Sequence, residues 1–378
     1  MSEWTTQRLE EIIQVNPTVK LTKGEVYPFI DIDKVSPSLR SVTNEEEKVY
    51  DGQSCSKFCN GDTVFSRITP CLENRKIAKV SIDGQSAFGS TEFYIFRAKQ
   101  GKSDEDFAYY LTSSDAVVLP AINSMTGASG RQRADKRFIE RTKLNVPDLP
   151  TQKRIADILS AYDDLIENNN RRIALLEKAA QELYKEWFVR FRFLGYENAK
   201  FENGLPEGWK IKKVKDIVKR FPFGKLYKEA DVIGEGKIIV IDQSKEPYIG
   251  FHNDEPSHTA NIDTPIILFG DHSCKFQLMI TPFSLSENVV PFSAIKDIDT
   301  TYLYFLVKDL IETTEYKRHW TEFVSKKVLL ADYDIQKQFS ETIKSNLLLI
   351  ESLKNKNRNL IKQRDLLLPR LMSGKLEV

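Results

Sequence analysis

Apolar residues recur in two stretches of the chain with alternating steps of four and three. In residues 151–188 the series runs Ile155, Leu159, Tyr162, Ile166, Asn169, Ile173, Leu176, Ala180, Leu183 and Trp187. In residues 335–372 it runs Phe339, Ile343, Asn346, Ile350, Leu353, Asn357, Leu360, Arg364, Leu367 and Leu371. A seam of about five heptads, near 3.5 residues per turn, predicts two long helices that pair as an antiparallel coiled coil. Asn169, Asn346, Asn357 and Arg364 interrupt the seam, and polar residues there trade stability for a fixed register and partner number. Two separate helices, each packed on its own domain, are the alternative; matched length and phase favour mutual pairing.

The two stretches align without a gap at an offset of 184, with Gln152 on Gln336, Lys153 on Lys337, and Leu165-Ile166-Glu167 on Leu349-Ile350-Glu351. Earlier in each half, "WTTQRLEEII" from Trp4 matches "WKIKKVKDIV" from Trp209. Short β-rich pieces broken by Gly, Pro, Asn and Asp follow: "VYPFIDI", "GDTVFSRITP", "KIAKVSI" and "TEFYIFRA", then "KIIVIDQ", "PIILFG" and "FQLMI". A helical stretch precedes each long helix, "DEDFAYYLTSSD" in one half and "TTYLYFLVKDLIETT" in the other. The Gly-, Asn- and Pro-rich "LGYENAKFENGLPEGW" (194–209) reads as the junction. The predicted class is α+β, with two globular mixed α/β domains each followed by a long helix. Its segments are 1–150, the helix 151–193, a linker 194–208, a second domain 209–334, and a second helix with tail 335–378. The interiors, 20–140 and 225–325, hardly align, which suggests two related modules that recognise different things.

Composition narrows the class without choosing within it. A chain of 378 residues with 41% hydrophobic and 29% charged residues is an ordinary folded protein of two to three domains. No apolar run approaches the roughly 18 residues of a membrane span, and "MSEWTTQRLEEII" lacks the apolar segment of a secretory signal. A cytoplasmic protein without a membrane partner is expected. Cys55, Cys59, Cys71 and Cys274 show no metal-ligand spacing, so reduced thiols and no metal are expected. The net charge of +1 neither demands nor excludes nucleic acid.

Residues 126–140, "TGASGRQRADKRFIE", put a small-residue loop beside Arg131, Arg133, Lys136 and Arg137. Glycine-rich backbone next to cations suits an anion, but a nucleotide loop needs G-x-x-x-x-G-K-[ST], and Gly130 is followed by Arg131-Gln132. A DNA-backbone contact and a solvated turn remain. The segment alone favours the turn; the corresponding place in the second half reads "TTEYKRHWTEF", not a copy, which favours the DNA contact once taken with the resemblance given next.

In order and combination, the Trp4 and Trp209 openings, "GLPEGW", "GDTVFSRITPCLENRKIA" (61–78), "STEFYIFRA" (90–98), "TGASGRQR" (126–133), and "VPDLPTQKRIADILSAYDDLIENN" (146–169) with its echo at 335–353 resemble the specificity subunits of type I restriction-modification systems. The resemblance implies a non-catalytic protein whose two target-recognition domains each read half of a split double-stranded DNA site. It implies a helical spacer; about 35 helical residues rise roughly 50 Å. It also implies two methyltransferase subunits as partners and, through them, restriction subunits. No cofactor is expected on this chain; S-adenosylmethionine, ATP and magnesium belong to the partners. The DNA-binding candidates are Arg67, Arg75, Lys76, Lys79, Arg131, Gln132, Arg133, Lys136, Lys225, Lys228, Gln243, Lys275, Lys317 and Arg318, all in Gly/Pro-broken segments.

Other functions fit the residues less well. A DNA methyltransferase of the partner type carries N-P-P-[FYW], whereas the one Asn-Pro here is followed by Thr18-Val19. Gly234-Glu235-Gly236 reads as a hairpin, not a cofactor turn. "DYDIQK" (332–337) has a nuclease's ingredients but sits at a helix start, and the His272 of "DHSC" is a loop residue. A coiled-coil scaffold, or an orphan DNA-binding protein without restriction partners, remains as the non-enzyme alternative.

Overall fold

The computed structural model describes residues 4–44, 46–244, 246–313, 315 and 317–378. The chain forms two compact units, Met1–Arg171 with Lys354–Val378, and Arg172–Leu353. Each unit combines one globular domain with portions of both long helices, Leu149–Tyr184 and Tyr333–Met372.

In the first unit the opening strand Trp4–Arg8 pairs antiparallel with Lys143–Pro147, the strand that feeds the first long helix. The domain is thereby closed where it begins and ends. Between them stands a five-stranded sheet in the order Ile13–Val15, Phe93–Ala98, Thr63–Ser66, Ile77–Val80, Ser41–Val42. A second sheet runs Glu46–Val49, Val26–Ile30, Ser86–Gly89, Ser56–Cys59, with a parallel pair at its centre. Strands such as Thr63–Ser66 are buried along their whole length, the buried Ser66 hydroxyl donating to Lys76 O at 2.6 Å. The helix Glu105–Ser113 starts at Asp104, whose carboxylate accepts the Phe107 N–H at 3.0 Å.

The second unit repeats this plan. Lys210–Lys213 pairs antiparallel with Lys327–Leu330. The main sheet runs Val218–Arg220, Val289–Ala294, Ile266–Gly270, Phe276–Met279, and the second runs Gly250–His252, Ile238–Ile241, Phe283–Leu285, again with one parallel pair. Asp299 caps the helix Thr300–Val307 through Tyr302 N–H at 2.8 Å. That helix is shorter than the pattern predicts, because the chain turns at Lys308–Leu310. Gly234–Gly236 makes a bend between Ile233, which bridges to Phe251, and the strand Ile238–Ile241, not a hairpin; a Cβ on Gly236 would lie 2.8 Å from that of Phe251.

Repetition therefore extends into the interiors, which the sequence reading confined to the openings and long helices. Core strand positions accept any apolar residue of about the right size, so residue identity fades while strand order persists. One side chain shows why the long-helix starts kept theirs. Gln152, fully buried, accepts Asp104 N–H at 3.0 Å and donates to Pro147 O at 2.9 Å. Gln336 accepts Asp299 N–H at 2.9 Å and donates to Ala331 O at 2.7 Å. The same amide ties the same helix cap to the same strand end in both units.

The long helices pair antiparallel. In the first unit Asn169 meets Asn357 at 2.8 Å and Asp163 meets Arg364 at 2.5 Å, while Ile155 and Leu159 share a core with Leu371. In the second, Ile173 packs with Ile350 and Leu353, and Trp187 lies against Phe339. Of the four predicted polar seam residues, Asn169 and Asn357 are buried, and Arg364 and Asn346 half-buried.

Candidate nucleic-acid interface

The segment 126–133 is a closed loop, not a loose one. Thr126 and Arg133 exchange backbone hydrogen bonds at 3.1 and 2.9 Å, and Arg131 N–H closes on Ala128 O at 3.0 Å. Gly127, at φ +126°, lets the chain turn where a Cβ would meet Arg131 O at 3.3 Å. The loop is stitched to the turn after the strand Thr63–Ser66: Thr69 N–H donates to Gln132 O at 3.0 Å, and Gln132 N–H to Thr69 Oγ1 at 3.1 Å. Sequence alone could not decide between a flexible and a fixed loop, because the stitches span more than 60 residues.

Two arginines converge there on one acid. Arg133 grips Glu92 with two hydrogen bonds, 2.9 and 2.6 Å, and Arg67 Nε reaches the same carboxylate at 3.2 Å. The Arg133 hydrogen bond, aided by Arg67, holds the Glu92 carboxyl below its usual range. Arg131 stands exposed at the tip, and among the described residues its side chain has no hydrogen bond or ion pair. Glu92 was missing from the sequence reading; an acid 41 residues from its partner leaves no local signal.

The other first-half candidates have internal partners. Arg75 pairs with Asp115, Lys79 with Asp106 at 2.6 Å, and Lys136 with Glu140 at 3.3 Å. Lys76 Nζ donates to Ile32 O at 3.1 Å.

Hydrogen-bond register identifies the equivalent tip in the second unit. Ser66 N–H bonds Lys76 O as Gly270 N–H bonds Lys275 O. Arg67 N–H bonds Glu92 O as Asp271 N–H bonds Asn288 O, and Ala134 N–H bonds Arg67 O as His319 N–H bonds Asp271 O. Asp271 thus takes the place of Arg67, Asn288 of Glu92, and Arg318 of Arg133. The 184-residue offset of the long helices, carried back to this loop, sets Lys317 opposite Arg133; the hydrogen-bond register moves the match one residue on, to Arg318. Lys275 replaces Lys76, and its ammonium likewise donates to backbone, Ser244 O at 2.7 Å, with burial pulling its pKa down. Both lysines brace the sheet turn against the loop beyond the strand of the second sheet.

Arg318 is largely exposed, with Nε 3.9 Å from Asp271 Oδ2, and Lys317 pairs with Glu315 at 3.3 Å. Gln243 accepts the His272 N–H at 3.1 Å. Thr314 and Tyr316 of "TTEYKRHWTEF" lie outside the described residues. Lys225 pairs with Asp254 at 2.6 Å beside Tyr227, and exposed Lys228 begins a short turn. Tyr227 stacks on His252 with centroids 4.1 Å apart. His252, His258 and His319 are buried, while His272 is half-buried. Among the described residues no group of three or more His, Cys, Asp or Glu is arranged to hold a metal ion, and no helix is long and apolar enough to cross a membrane.

The two tips share one hydrogen-bonded frame and differ in charge, and each leaves an exposed arginine, Arg131 and Arg318, available to an anionic ligand. The comparisons with known proteins agree. The family described as type I restriction modification DNA specificity domain matches residues 1–178. Over its whole length the chain is 24% identical to the type I restriction enzyme MjaIX specificity subunit of Methanocaldococcus jannaschii, covering 94% of that protein. It is 27% identical to the MjaVIII specificity subunit of the same organism, over 71% of this chain and 70% of the other. The crystal structure of a type I restriction-modification S subunit from M. genitalium superposes over 98% of this chain and 96% of its own, with a TM-score of 0.55 at 14% identity. That likeness is one of fold. Residues 1–178 thus match the type I restriction modification DNA specificity domain, and over its whole length the chain is similar to type I specificity subunits.

Proposed function

We infer that each globular domain reads one half of a bipartite DNA target, and that the paired helices act as the spacer between half-sites. The observation that carries this reading is the exchange of side chains at equivalent positions of one hydrogen-bonded frame: Arg67 for Asp271, Glu92 for Asn288, with Arg133 and Arg318 retained as arginines. A frame kept while the side chains at its tip change is what reading two unlike half-sites requires. Arg131, Arg133, Arg67, Gln132 and Arg318 are the contacts we assign to DNA, the arginines to phosphate or guanine edges and Gln132 to a base edge. Lys76 and Lys275 position their turns instead.

The protein acts in the cytoplasm with two methyltransferase subunits and, through them, restriction subunits. S-adenosylmethionine, ATP and magnesium are used by those partners and none by this chain. The 36-residue first helix rises roughly 54 Å, long enough to set half-sites one to one and a half duplex turns apart, at about 34–36 Å per turn. Methylation mapping of genomic DNA from cells carrying this chain and its methyltransferase partner tests the reading. A two-part asymmetric motif with a fixed non-specific gap is expected. Absence of any motif would favour a scaffold or orphan DNA-binding role.

A further inference from the structure

The two long helices are copies of one another at the 184-residue offset, so three antiparallel coils are conceivable: first helix with second, first with first, and second with second. The observed contacts define what each would bury. In the first unit Asp163, 2% exposed, takes a hydrogen bond from Arg364 at 2.5 Å and another from the Tyr110 hydroxyl at 2.6 Å. Asn169 donates to Asn357 at 2.8 Å, and Asn357 donates in turn to Asn170. At the same offset Asp163 falls on Leu347, Asn169 on Leu353, Arg364 on Ala180 and Asn357 on Ile173.

Those image positions are apolar throughout. In the second unit Ala180, Leu347 and Phe305 belong to one cluster, and Ile173 packs with Ile350 and Leu353 in another. Phe305 also replaces Tyr110: each lies six residues after the aspartate that caps its helix. Asp163, Tyr110, Asn169, Arg364 and Asn357 thus each have an apolar counterpart, while Asn170 falls on Lys354.

Self-pairing would mismatch the four seam residues Asp163, Asn169, Asn357 and Arg364. Two first helices would set Asp163 against Ala180 and Asn169 against Ile173. Two second helices would set Arg364 against Leu347 and Asn357 against Leu353. A buried charge or amide without a partner is far costlier than the same group matched. Only the first helix with the second pairs acid with cation and amide with amide. We propose that the coil seam is an interaction surface accepting only the complementary half, so that first halves do not pair with first halves nor second with second.

The test starts from the intact folded chain carrying a protease site at the exposed Asn203-Gly204 turn. After cleavage, the nicked protein exchanges in mild denaturant and native mass spectrometry reads which halves are paired. For the natural seam, first–second pairs alone are expected. The symmetrised variant Asp163→Leu, Asn169→Leu, Asn357→Ile, Arg364→Ala copies the second-unit contacts. It should give first–first, first–second and second–second pairs near 1:2:1. The reversed pair Asp163→Arg, Arg364→Asp, which keeps the charges matched and does not rely on the four-residue variant folding, should remain exclusively first–second. Statistical self-pairing in the natural seam would overturn the proposal, as would strict first–second pairing in the symmetrised variant or self-pairing in the reversed one.

Discussion

Glu92→Gln probes the tip of the first domain directly. The carboxylate now neutralises one of two converging guanidinium groups, so Arg67, Arg133 and Glu92 together carry +1. Glutamine keeps the shape and one acceptor oxygen and removes the charge, leaving +2 on the same frame. If the arginines face the DNA backbone, the freed charge meets about one further phosphate. Each phosphate neutralised adds about −0.9 to the slope of log affinity against log salt. Between 50 and 200 mM salt the variant's affinity should therefore fall roughly 3- to 4-fold further than the parent's. The assay is fluorescence anisotropy of the assembled methyltransferase complex on target duplex across a salt series, with thermal melting to confirm an intact fold. A slope unchanged or shallower, with the fold intact, would refute the placement of Arg67 and Arg133 against DNA.

Arg131→Ala with Arg133→Ala should act oppositely, weakening binding and flattening the salt slope by up to about 1.8; an unchanged slope in the same assay counts against both contacts. Gln152→Ala removes a buried amide and orphans Asp104 N–H and Pro147 O. It should cost about 2–4 kcal/mol in urea unfolding, Gln336→Ala should cost a similar amount, and near-neutral values would show the clip to be incidental. Burial holds the His258 imidazole below its ordinary value of 6.5. Its folded pKa being the lower, the folded form binds fewer protons, so its contribution is present above 6.5 and is lost as pH falls toward the folded value. His258→Phe, stacked on Phe283 as the imidazole is, should make stability less acid-sensitive between pH 7 and 5; an unchanged pH profile would contradict this.

The long helices, their phase and the start of each domain were legible because periodic burial constrains residue type at every turn, and because Gln152 and Gln336 make the same three-way tie. Each predicted strand piece appears as a strand for the same reason. The shared topology of the interiors was not legible, since a buried strand needs only apolar volume. Neither was the tip chemistry. Glu92 lies 25 residues from Arg67 and 41 from Arg133, and nothing in the chain marks it as their partner. Lys76 and Lys275 looked like any exposed loop lysines; their equivalence emerges only from the backbone bonds of Ser66 and Gly270, because 76 and 275 do not stand at the repeat offset.

The central claim is that two modules on one frame read separate halves of one site. Exchanging residues 20–140 for those of another family member, in cells carrying the methyltransferase partner, and sequencing the methylated motif tests it most directly. One half of the motif should change while the other half and the gap stay as they were. Loss or change of both halves together would contradict it.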